Sequence, residues 1–150
     1  MTFERKSLPP QHYVYVEIET PMSEIGEAMG PAFGQVFGWV GAEGVAPLSM
    51  PMCVYHEMSD PITFRAGVML SEADAARAKG PIKSGVLPTE AVTGIHTGAY
   101  SGLGGTHKAL WSHMEKAGLT PAMPVWEVYI DDPGEVAEET LRTEIYRAVG

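Results

Sequence analysis

The stretch VWEVYIDDP, Val125 to Pro133, places one carboxylate, Glu127, inside a strand-forming run between two large aromatics, Trp126 and Tyr129. Side chains alternate along a strand, so Val125, Glu127 and Tyr129 share one face while Trp126, Val128 and Ile130 share the other. A carboxylate beside aromatic faces suits an organic cation, each ring contributing roughly 0.5–2 kcal/mol. The same acid, close to a phenol, also has the makings of a general base. A glutamate on an open sheet face is more often merely solvated, so the case depends on what the rest of the chain brings beside it.

That surrounding can be read from an internal repeat. FGQVFGWVGAEGVAPLSMPMCVY, Phe33 to Tyr55, aligns without a gap on HKALWSHMEKAGLTPAMPVWEVY, His107 to Tyr129, at a constant offset of 74 residues. Gly44 then matches Gly118, Pro47 matches Pro121, Tyr55 matches Tyr129, and Cys53 stands where the second copy has Glu127. Phe33, Val36, Phe37 and Val40, and likewise His107, Leu110, Trp111 and Met114, are spaced as one helical face. Gly44 and Gly118 suit left-handed helix caps, with a proline beyond each to prevent continuation.

Strands account for much of the remainder. YVYVEIET, Tyr13 to Thr20, sets Val14, Val16 and Ile18 on one face and Tyr13, Tyr15, Glu17 and Glu19 on the other. ITFRAGVML, EAVTGIHTG and LRTEIYRAV add further strands, so the order β-α-β-β occurs twice. Repeat one is expected over about 12–72, a connector over about 73–85 and repeat two over about 86–150, together one domain. Hairpins within each copy imply an antiparallel sheet with both helices on one face, an α+β fold. Trp126, Val128 and Ile130 are then expected under the helices. Tyr15, Tyr55, Glu127 and Tyr129 are expected to line a groove on the opposite face, between the repeats.

Composition narrows the function classes. With 150 residues, 45% of them hydrophobic, the chain can bury one sizeable core. A formal charge of −9 argues against a phosphate-tracking surface and for neutral or cationic partners, so no direct nucleic-acid binding is expected. No apolar run approaches the length of a membrane span, and the start MTFERKSLPP has no apolar signal core. A cytoplasmic protein is expected, consistent with its single cysteine, Cys53. GLGGTHK, Gly102 to Lys108, lacks the spacing of a phosphate loop, and no Cys/His metal cluster or hydrolase motif occurs. Neither cofactor nor metal is expected.

The second copy carries a resemblance. Its features are a strand ending in Gly98-Ala99-Tyr100 ahead of a helix, the helix stop Gly118-Leu119-Thr120-Pro121, and Trp126-Glu127-Val128-Tyr129 leading to Asp132-Pro133. Together they resemble the GyrI-like small-molecule-binding domain family, the effector-binding domain of AraC-type and multidrug-responsive regulators. The first half matches more loosely through VYHEMSDPITFRAGVML, and the likeness runs from about Tyr13 to the end. It implies a duplicated β-α-β-β fold of SHS2 type with a hydrophobic groove between the copies. It also implies that Glu127 receives the positive charge of a lipophilic cation. No helix-turn-helix segment precedes Tyr13, so a stand-alone member is expected rather than a transcription factor. Among such members are drug or toxin binders, proteins linked to DNA gyrase protection, and hydrolases of electrophilic, cyclopropane-bearing genotoxins.

The candidate ligand-binding residues are therefore Glu127, Tyr129, Tyr55, Tyr15, Tyr100, Trp39 and His96. The tyrosines also make sense as strand formers on a half-buried surface, Trp39 as helix-end packing, and His96 as a surface strand residue. For catalysis the candidates are Glu127 as general base with Tyr100 or Tyr129 as hydrogen-bond partner. A binder of hydrophobic or cationic small molecules is the leading expectation. The hydrolase is the alternative, and an acidic surface engaging a basic protein partner is a third.

Overall fold

The computed structural model describes residues 2–150. Its elements run β1 (Glu4–Ser7), β2 (Gln11–Thr20), α1 (Ile25–Glu43), β3 (Met52–Tyr55), β4 (Ile62–Leu70), α2 (Glu72–Ala75), β5 (Lys83–Leu87), β6 (Glu90–Thr97), α3 (Leu103–Lys116), β7 (Pro121–Tyr129) and β8 (Arg142–Val149). All eight strands among the described residues form one antiparallel sheet in the order β1-β6-β8-β7-β3-β4-β2-β5. The order strand, helix, strand, strand is found in β2-α1-β3-β4 and again in β6-α3-β7-β8, and the two halves meet where β3 pairs with β7.

Both long helices stop where glycine permits it. Gly44 (φ 68°) and Gly118 (φ 74°) adopt the left-handed conformation. The next residues bond back, Val45 N–H to the Val40 carbonyl at 3.3 Å and Leu119 N–H to the Met114 carbonyl at 2.9 Å, which satisfies the last orphan carbonyls of each helix. The first helix is longer than its periodic core suggests. It begins at Ile25 and runs through Pro31, so two turns precede Phe33.

Helix α1 packs Ala32, Val36 and Val40 against Val14, Val16, Phe64 and Val68 of β2 and β4. Helix α3 packs Leu103, Leu110 and Met114 against Val92 and Ile145 of β6 and β8. The two helices lie on the same sheet face, because Tyr129 of β7 meets Phe33 of α1 while Glu127, two residues earlier on the same strand, meets His107 of α3.

The opposite face closes on itself. Strands β5 and β6 are six positions apart in the sheet, as are β1 and β2. A flat sheet would separate each pair by about 29 Å, yet only two residues link β5 to β6, a reach of about 11 Å. The sheet must therefore roll. Its two crossing connections run side by side, with Leu8 N–H donating to the Thr89 carbonyl at 2.7 Å. Inside the roll lies a second core of Tyr13, Tyr15, Met52, Val54, Trp126 and Val128. Trp126 is fully buried and stacks on Tyr146, ring centroids 5.0 Å apart and planes 4° from parallel.

This closure reverses the expected faces of β3 and β7, whereas β2 keeps Val14 and Val16 under the helices and Tyr15 on the other side. Trp126 and Val128 point into the rolled side, whereas Glu127, Tyr55 and Tyr129 point toward the helix layer. Alternation sorts the residues of each strand into two sets correctly, but it does not say which set of one strand shares a face with which set of another: Tyr15 lies on the side opposite Glu127. No helix among the described residues is long and apolar enough to cross a membrane.

Candidate ligand-binding site

The central strands β3 and β7 are left partly uncovered between α1 and α3, and there the structure opens a cavity of 660 Å³, a volume that suits a drug-sized molecule. One wall is the early part of α1, with Ile25, Met29 and Phe33. Its floor is Tyr55, Glu127 and Tyr129, and its far rim is Tyr100, Leu103 and Asp132. Each floor residue is set by strand register: Cys53 pairs with Glu127 and Tyr55 with Val125 across the β3–β7 seam.

Glu127 is 6% exposed. Its Oε1 accepts the Tyr129 hydroxyl at 2.8 Å, and its Oε2 lies 2.7 Å from His107 Nε2. The other imidazole nitrogen, Nδ1, is buried without a partner. Tyr129 stands edge-on to Phe33 (6.3 Å between centroids) and to Tyr100 (5.5 Å), so rings from α1 and from the turn before α3 meet the floor ring.

Burial is the first cause that raises the Tyr129 and Tyr55 phenols above the ordinary range, with the neighbouring Cys53 and Glu127 adding to it. Tyr100 is raised by burial and then by Asp132 and Glu127. All three thus stay neutral at physiological pH, as hydroxyl donors with electron-rich faces. Among the described residues no lysine or arginine lines the cavity. Asp131, at the rim, is already paired with Arg142 at 2.9 Å.

Cys53 lies beneath this floor and is fully buried. Burial pushes its thiol up to about 12, so the thiolate that reacts with alkylating reagents is scarce near neutrality. Iodoacetamide at pH 8 is expected to leave native protein unmodified over hours and to label it fully in urea, as read by intact mass. Rapid labelling of the native protein would show that the floor opens.

Of the seven sequence candidates, the structure gathers Glu127, Tyr129, Tyr55 and Tyr100 at this cavity and places three elsewhere. Tyr15 lies inside the roll, its ring under the Arg65 guanidinium at 4.4 Å, because its strand face is the one that closes. Trp39 packs on the first core at the C-terminal part of α1 and does not line the cavity. His96 is buried, with Nδ1 2.6 Å from Thr106 Oγ1 and Nε2 2.9 Å from the Ala99 carbonyl, and ties β6 to the start of α3. Residues that the sequence reading passed over are Ile25, Met29, Phe33 and His107. Phe33 and His107 are matched by the 74-residue offset, and each leans over one of the central residues, Tyr129 and Glu127. That pairing was the signal available in the sequence.

No curated protein sequence compared with this chain matches it. Among solved structures, EcmrR is similar in two forms. Its C-terminal domain aligns at TM-score 0.79 and 20% identity over 99% of this chain and 97% of that one. In the EcmrR–DNA complex the TM-score is 0.82 at 21% identity, over 99% of this chain but only 57% of that longer chain. A hydrolase from Listeria innocua aligns at TM-score 0.67 and 14% identity over 99% and 92% of the two chains. SAV2435, solved bound to tetraphenylphosphonium, aligns at TM-score 0.66 and 13% identity over 100% and 94%. At these identities the likeness is one of fold. The family model of the GyrI-like small molecule binding domain matches residues 1–149, and the chain belongs to that family.

Proposed function

We propose that the cavity takes up lipophilic cations, with Glu127 as counter-charge, and that the protein sequesters or senses such molecules in the cytoplasm. The observation that carries this reading is a buried carboxylate in an aromatic and aliphatic cavity with no lysine or arginine among the described residues on its walls. A cation entering such a space sheds water, and ring faces together with one carboxylate replace it. A fold relative bound to tetraphenylphosphonium supports the choice of ligand class.

Tetraphenylphosphonium and neutral triphenylphosphine oxide are the probes. At about a hundredfold over its Kd, a ligand stabilises the native state by about 2.7 kcal/mol, or about 5–10 °C in Tm for a chain of this size. The cation is expected to produce that shift and the neutral compound a much smaller one. Equal shifts, or none with the cation, would contradict the reading.

A hydrolase reading has one observation in its favour: Glu127 touches both an imidazole and a phenol, on a fold shared with a hydrolase. Glu127 would take a proton from water as the water oxygen bonds to an electrophilic cyclopropane carbon. The ring bond that opens would be protonated from Tyr100 or Tyr129. Incubation with such a substrate yields a product heavier by one water with the native protein and none with Glu127→Ala if this holds; recovery of unchanged substrate excludes it.

A further inference from the structure

A second cavity, of 370 Å³, lies alongside α3 and is lined by His107, Lys108, Trp111, Ser112 and Arg147. Arg147 is its unusual member. It rises from β8, paired with Val125 of β7, and is only 8% exposed. Its guanidinium carbon sits 4.7 Å from the centroid of the Trp111 ring. Nη1 makes two long contacts, donating to the Ala122 carbonyl at 3.5 Å and approaching Met123 Sδ at 3.7 Å, while the buried Nε–H has no partner. No carboxylate among the described residues forms an ion pair with it.

A buried guanidinium without an acid is costly, because lost hydration is not replaced by an opposite charge. Consistent with this, burial holds Arg147 below the ordinary arginine value and no acid raises it back. In a protein of net charge −9, an acceptor-poor pocket of this kind calls for an explanation. The Arg147 fork, the Lys108 ammonium and the Ser112 hydroxyl on its wall can all donate. Donors converging in this way match a planar or tetrahedral oxyanion, which accepts several charge-assisted bonds at once. Trp111 fixes the guanidinium plane by stacking and leaves 41% of its own surface open to an organic substituent.

We propose that this cavity binds the oxyanion group of a small molecule, a carboxylate or a phosphate, with Arg147 as the principal contact and Lys108 as the second. The site is distinct from the first cavity, although His107, which lines it, is linked to that cavity through the contact of its Nε2 with Glu127. The proposal stands on Arg147 and does not depend on what the first cavity binds.

The test follows the arginine Nε–H resonances of ¹⁵N-labelled protein during titration with inorganic phosphate and with benzoate, each against sodium chloride of equal ionic strength. One buried Nε–H signal is expected to move saturably at millimolar concentration and to be absent in Arg147→Met. Lys108→Ala, on the exposed side of α3, is expected to keep the signal and weaken the titration by about threefold to tenfold. Movement with benzoate alone points to an organic carboxylate and movement with phosphate alone to a phosphate; either sustains the site. If the moving signal persists in Arg147→Met, or no Nε–H signal moves beyond the chloride control, the proposal is overturned. Should Arg147→Met fail to fold, the native titration and Lys108→Ala still decide between these outcomes.

Discussion

Trp126→Ala is expected to destabilise the protein by about 3–5 kcal/mol, the range for deleting a large, fully buried aromatic. The effect should exceed that of any single change at the ligand cavity. Trp126 has no exposed surface and stacks face to face on Tyr146 inside the rolled sheet. The hole cannot collapse easily, because β7 is held in register by β3 on one side and β8 on the other. Its indole N–H is buried without a partner, so no hydrogen bond is lost and the whole cost is packing. Trp126→Phe should recover much of it. Urea denaturation with matched m-values measures the difference. A loss below about 1 kcal/mol would mean that the concave side of the sheet is not the filled core described above, since surface substitutions fall in that range.

How far the sequence foretells this arrangement depends on whether a feature is local. Gly44 and Gly118 each follow a helical apolar face, and both helices end there in a left-handed cap. The alternation around Glu127 correctly groups it with Tyr129. What escaped is set by distant pairing. The short edge strands β1 and β5 have little apolar alternation of their own, and only their pairing with β6 and β2 makes them strands. Those edges let the sheet roll, and rolling decides which face of β7 is enclosed. The early turns of α1 were hidden by Gly26, Gly30 and Pro31, which read locally as helix breakers; packing overrides them, and with them come Ile25 and Met29 of the cavity wall. Tyr15 was a candidate because alternation placed it on the face expected to hold the groove, and that face closed into the roll instead. Trp39 was one as an aromatic near a helix end, where residue type does not say whether it packs a core or faces a ligand. His107 was legible only as the partner of Phe33 across the repeat, a comparison that asks for an asymmetry rather than a motif.

Glu127→Gln is expected to weaken binding of a lipophilic cation by about tenfold to a hundredfold, corresponding to roughly 1.5–3 kcal/mol for a partly desolvated, charge-assisted contact. Glutamine keeps the volume of the side chain and can still accept the Tyr129 hydroxyl, so shape and stacking are nearly conserved and charge is what changes. The aromatic walls contributed by Phe33, Tyr100 and Tyr129 remain, and a neutral ligand of similar bulk should lose little. Comparing the two ligands isolates the electrostatic part from any general loosening of the cavity, which would weaken both alike. The most direct measurement is titration calorimetry of the native protein and Glu127→Gln with tetraphenylphosphonium and with triphenylphosphine oxide. A loss of at least about tenfold for the cation, with the neutral compound nearly unchanged, is the predicted result. Equal losses for the two, or no loss for the cation, would contradict the role of Glu127 as counter-charge.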